Sequence, residues 1–139
     1  MLLFTNQYIS VNFLELQQIT TFHFSDDAKK LNICFLKAEL ILAVENMIKR
    51  YASHFFIDIA NIEHIIQGDF FIWFENNIIS NTTQSQQTKV AWIASKQINF
   101  KSIPNSAKSI HKIFTNHQLA TQWLVDDVKY EFGKHHKHH

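Results

Sequence analysis

At 139 residues, with 46% hydrophobic and 18% charged side chains and thirteen Phe, the chain suits one globular domain burying about two thirds of its unfolded surface, which excludes a wholly disordered chain. Thirteen Lys and Arg face twelve Asp and Glu; without the terminal Lys134 and Lys137 the balance is 11 against 12, so charge gives no case for a nucleic-acid or anionic-membrane surface. A single cysteine, Cys34, excludes an internal disulfide and a multi-cysteine zinc site, while Gly68, Gly133 and Pro104 leave no glycine loop to cradle phosphate.

The opening residues Met1 to Asn6 carry no basic segment, and no stretch reaches about 18 uninterrupted apolar residues, so the expectation is a soluble cytoplasmic protein without a membrane span. Ile9, Val11 and Phe13 then alternate with Ser10 and Asn12, the period of a half-buried strand, and Glu15 to Phe24 supplies a second run to pair with it as a hairpin. Ser25-Asp26-Asp27 reads as a helix start. From Ala28 to Tyr51 the chain has neither Gly nor Pro and ends in Lys49-Arg50, which predicts one long helix. Its stripe Ile33, Leu36, Leu40, Val44, Met47 and Tyr51 should face a sheet. A second apolar set, Leu31, Phe35, Ala38 and Leu42, has Cys34 and Ile41 beside it, and belongs either to the domain's own core or to a partner surface. On the second reading Leu31, Phe35 and Leu42 form a self-complementary homodimer patch.

His54 to Phe74 is the stretch around which the rest is arranged. Phe55-Phe56-Ile57, Asp58 and Ile59-Ala60 predict a central strand covered on both faces, and the loop after it is where ligands or partners gather in open α/β sheets. Asp58 and Asn61 either contact a ligand or partner or fix the turn through side-chain to backbone bonds. Glu63 and His64 adjoin, but no nucleophile is placed near them by spacing, and His23, His54, His111 and His117 are scattered singly. No catalytic constellation, metal site or cofactor is expected.

Gln67-Gly68-Asp69 opens a second helix through about Ile79, whose Phe70, Phe71, Trp73 and Phe74 are more rings than one face can bury, so some should line a groove or face a neighbour. Asn81 to Thr88 is polar loop, Val90 to Ala94 a second buried strand, Ser95 to Asn105 a long connection, Ser106 to Ser109 a helical turn and Ile110 to Phe114 an edge strand. Thr115 and Gln118 form a capping-box pattern ahead of Leu119, Ala120, Trp123 and Leu124, a final amphipathic helix in which Trp123 is buried. Residues 1–130 thus make one domain, a mixed α/β sheet of four or five strands, a hairpin followed by crossover units, with helices mainly on one face. The His/Lys-rich residues 131–139 would bind nickel or zinc and read as a disordered tail or tag, or as a native metal-binding tail.

These residues carry a resemblance. Phe56-Ile57-Asp58, the turn with Ile62, the helix bearing Trp73, the strand Val90 to Ala94, and Ile113-Phe114-Thr115 followed by Ala120, Trp123 and Leu124 are similar to the STAS-like family, the SpoIIAA-type fold of anti-sigma-factor antagonists, and more closely to small stand-alone bacterial STAS/SEC14-like proteins. The resemblance spans about residues 6 to 126. It implies a non-enzymatic, bacterial, regulatory module that docks a protein partner, or alternatively a binder of lipid or another small apolar ligand in a SEC14-like cavity. The family's phosphorylated loop, laid on this chain, falls near Ile66-Gln67-Gly68-Asp69-Phe70, where no Ser or Thr occurs from Ala60 to Ile79. Gln67, Gly68 and Asp69 are therefore expected as surface contacts of an unswitched docking site.

Overall fold

The computed structural model describes residues 1–48, 52–66, 68–82, 87–96 and 109–126. They form a mixed six-stranded sheet in sequential order: β1 (Leu2–Thr5), β2 (Ile9–Leu14), β3 (Ile19–Phe24), β4 (His54–Asp58), β5 (Thr88–Ile93) and β6 (Ser109–Phe114). β1 to β3 pair antiparallel and β3 to β6 parallel. The expected architecture holds, and β1 adds a strand that its unalternating Met-Leu-Leu-Phe did not signal.

Strand β2 buries Ile9, Val11 and Phe13, and β3 answers with Phe22 opposite Val11 and Phe24 opposite Ile9. The turn between them ends at Gln18, whose φ of 59° is left-handed. Its carbonyl accepts from Ser53 N at 2.9 Å and His54 N at 3.2 Å, so the hairpin turn also pins the start of β4.

Each parallel crossover advances the sheet one strand in the same direction, and crossovers of one hand then place their helices on one face. Helices α1 (Ile33–Asn46) and α2 (Phe70–Asn77) accordingly share a face over one core. That core holds Val11, Phe22, Leu36, Leu40, Phe55, Ile57, Phe74 and Trp92. Helix α3, residues 117–126, covers the other face, where Ala120 and Leu124 pack with Ile19, Ala91 and Ile93. β4 and β5 are therefore covered on both sides, as their apolar runs require.

Four expectations are corrected. Residues 28–51 are not one helix: Asp26–Lys30 is a short 3-10 helix, Leu31 is extended, and α1 begins afresh after Asn32, whose Oδ1 accepts from Phe35 N at 2.9 Å. The Asn32 side chain satisfies the new helix's free amide, whereas the Ser25 hydroxyl donates to the Gln7 carbonyl at 2.6 Å and caps nothing. α1 ends at Asn46, and Lys49, Arg50 and Tyr51 lie outside the described residues. The cap of α3 is Asn116, not Thr115, since Asn116 Oδ1 accepts from Leu119 N at 3.1 Å. Leu119 is exposed and Trp123, expected to be buried, is only partly so, while Ala120 and Leu124 hold the helix to the sheet. Most of Ser95 to Ser109, part of Asn81 to Thr88 and the tail 131–139 lie outside the described residues.

Candidate functional site

The candidate site forms at the carboxyl end of β4. Asp58 closes the strand by accepting Ala60 N on Oδ1 at 3.0 Å, the side-chain turn that short acidic residues make readily. Its Oδ2 lies 3.3 Å from Nε2 of His117, the first residue of α3, and the His117 ring meets Phe56 edge-on at 5.4 Å. One residue thus ties the end of the central strand to the start of the last helix.

The residues that follow are knitted to three other segments. Asn61 Nδ2 donates to the Phe24 carbonyl at the end of β3 at 2.8 Å. Glu63 accepts from Ser95 after β5 on both carboxylate oxygens, from the backbone N and, at 2.7 Å, from Oγ. His64 Nε2 donates to the Lys29 carbonyl at 2.8 Å. Glu63 and His64 therefore point to different neighbours and do not form an acid–base pair. Beyond them Gly68 and Asp69 are exposed, while Gln67 lies outside the described residues. Gly68 does not adopt positive φ, and the Asp69 side chain caps no amide of α2, so neither is demanded by the backbone where it stands.

Three of the four rings of α2 are core, and Trp73 is the half-buried one. Phe70, Phe71 and Phe74 are fully buried and meet Trp92 at 6.1, 4.7 and 5.1 Å, each edge-on. Trp73 stacks on Phe70 at 5.9 Å beneath the Lys37 ammonium. The exposed apolar residue of α2 is instead Ile72, 44% accessible.

The homodimer patch is divided. Phe35 and Leu42, 62% and 44% accessible, lie on the outward face of α1, whereas Leu31 precedes the helix and packs partly buried against the core.

A polar chain that the sequence did not single out runs through the core. Trp92 Nε1 donates to His111 Nδ1 at 2.9 Å, and His111 Nε2 meets Glu75 Oε2 at 2.5 Å. Because an indole N–H only donates, Nδ1 must accept, and His111 sits as the neutral tautomer with its proton on Nε2, directed at Glu75. Burial alone would raise the Glu75 carboxyl, but the hydrogen bonds from His111 and Ser109, with the His111 charge acting in the same direction when that ring is protonated, hold it below its ordinary 4.5. The available signal was period 2: Ser109, His111 and Ile113 alternate on the inward face of β6.

Among the described residues no three His, Cys, Asp or Glu side chains are arranged to hold a metal ion, and no helix is long and apolar enough to cross a membrane. No protein-family model, curated protein or solved structure matches this chain.

Proposed function

We propose that the chain is a non-enzymatic, STAS-like interaction module that docks a protein partner on the loop of residues 61–69 and the outer side of α2. The observation that carries this reading is that Asp58, Asn61, Glu63 and His64 all direct polar atoms at other segments of the same chain, Asp58 through His117. These four residues then offer a fixed relief rather than a reactive group, and such reliefs suit protein recognition because little ordering entropy remains to be lost on binding. The loop's exposed residues include His64, Gly68 and Asp69, flanked by Ala60 before the loop and Ile72 in the first turn of α2. Gln67 stands where the resembled family places a phosphorylatable serine, and Asp69 sets a permanent negative charge close by, so docking is constitutive.

The ring-to-ring contacts beneath α2 speak for a filled core rather than for the lipid-binding alternative. Two measurements on protein from its native cells test the reading. In-cell cross-linking of the wild type should capture one defined protein whose yield falls with Asp69→Arg and Ile72→Glu but not with Leu16→Glu, placed on the hairpin turn far outside the loop. Native mass spectrometry should show the bare chain mass; a stoichiometric copurified lipid would overturn the proposal in favour of the alternative.

A further inference from the structure

The outward face of α1 exposes two large apolar side chains, Phe35 and Leu42. Phe35, Ala38, Leu42 and Glu45 follow one another at spacings of three, four and three residues, the seam of a helix that packs lengthwise against another helix. All four are exposed. The charged residues that might have solvated this face are drawn aside: Lys37 lies over the Trp73 ring at 5.3 Å, and Glu39 accepts from Asn6 Nδ2 at 2.9 Å. Ala38, at the middle of the seam, leaves room for a close backbone approach.

Charge selects both the occupant and its direction. α1 has no acid in its first turn and no base in its last; instead exposed Lys30 stands just ahead of its cap and exposed Glu45 near its end. Both charges oppose the helix's own dipole. In an antiparallel pair centred on Ala38, Glu45 of each chain comes against the amino-terminal turn and Lys30 of the other, and Phe35 packs against Leu42. A parallel pair would set Glu45 beside Glu45 and Lys30 beside Lys30. We infer that this chain forms an antiparallel homodimer through α1, with Phe35 and Leu42 as its apolar anchors and the Glu45–Lys30 contacts setting its direction. Fourteen residues give a contact about 21 Å long, short of a standard interface, so the dimer belongs in the micromolar range.

The purified chain alone suffices for the test, so a failure here is separate from a failure of the docking reading. Sedimentation velocity from low to several hundred micromolar should show a monomer–dimer equilibrium. Phe35→Lys should weaken it at least tenfold while circular dichroism shows a folded chain, and Leu42→Lys serves if that variant does not fold. Glu45→Lys should also weaken the dimer, yet leave the monomer no less stable because it suits the dipole, and adding Lys30→Glu should restore association. Oxidation of a Cys34→Ser/Ala38→Cys variant should give a disulfide dimer. The native Cys34 pair, about 12 Å apart along the antiparallel axis, should not cross-link. A monomer at every concentration, association indifferent to both apolar substitutions, or ready cross-linking through Cys34 would each overturn the inference.

Discussion

Trp92 donates its indole N–H to Nδ1 of His111 across the β5–β6 pair, with both residues buried and their rings stacked within 15° of parallel at 6.1 Å. A buried acceptor stripped of its donor loses its hydrogen bond and regains no water, so the pair is worth more than either side chain's bulk implies. Trp92→Phe should destabilise the fold by about 2–4 kcal/mol, from the cavity and the orphaned acceptor together. In a double-mutant cycle with His111→Leu, urea unfolding should return a coupling of about 1–2 kcal/mol. Additive losses would mean that the hydrogen bond contributes nothing beyond packing.

Glu75 continues this chain toward solvent and gives it a pH dependence. Its carboxyl titrates below the ordinary 4.5 in the folded chain, because hydrogen bonds from His111 and Ser109 outweigh its burial. A group whose pKa is lowered by folding contributes stability that is fully present above the unfolded value and is lost as pH falls through the folded one. Glu75→Gln should therefore cost about 1–2 kcal/mol at pH 7, and the gap to wild type should close as pH drops below 4.5. Parallel stability curves down to strong acid would show that Glu75 is not tied to His111.

At the carboxyl end of β4, turn formation and ligand contact make opposite demands on charge. Asn61→Ala removes the bond to the Phe24 carbonyl and should cost about 1–2 kcal/mol. Asp58→Asn keeps an oxygen for Ala60 N and loses only the charge facing the exposed His117, so it should change stability by less than about 1 kcal/mol, with Asp58→Ala costing more. Thermal unfolding of the three variants ranks them. If Asp58→Asn were instead as damaging as Asp58→Ala, the carboxylate's charge, and not its oxygen, would be what holds the turn.

What the sequence disclosed follows from the range of the interactions involved. Ile57 and Trp92 sit in runs whose apolar character is itself the signal, so β4 and β5 were legible, as was the alternation of Ile9, Val11 and Phe13. The α1 boundary was not, because Ser25 and Asn32 are both competent caps and only the Gln7 carbonyl, brought near by the β2–β3 hairpin, draws the serine away. Asp58 and Asn61 were identified as turn-fixing candidates from residue type, but their partners His117 and Phe24 are remote in the chain and became visible only with the fold. The same holds for Phe70, Phe71 and Phe74, whose burial depends on Trp92 lying beneath them.

The second face of the sheet depends on a lysine. Lys89 lies within β5, nearly buried, and reaches across to α3, where Nζ donates to the Trp123 carbonyl at 2.7 Å and stands 4.8 Å over its ring. Lys112, on exposed β6 positions, approaches the same ring at 5.6 Å without that carbonyl bond. Lys89→Met keeps the aliphatic stem and loses both contacts, so it should cost about 1–2 kcal/mol, against about 0.5–1 kcal/mol for Lys112→Met. Hydrogen exchange should localise the Lys89→Met effect to the amides of residues 117–126, with β2 and β3 unchanged. An equal or larger effect from Lys112→Met would show that the ring contact, rather than the Lys89 bond to the Trp123 carbonyl, anchors α3 to the sheet.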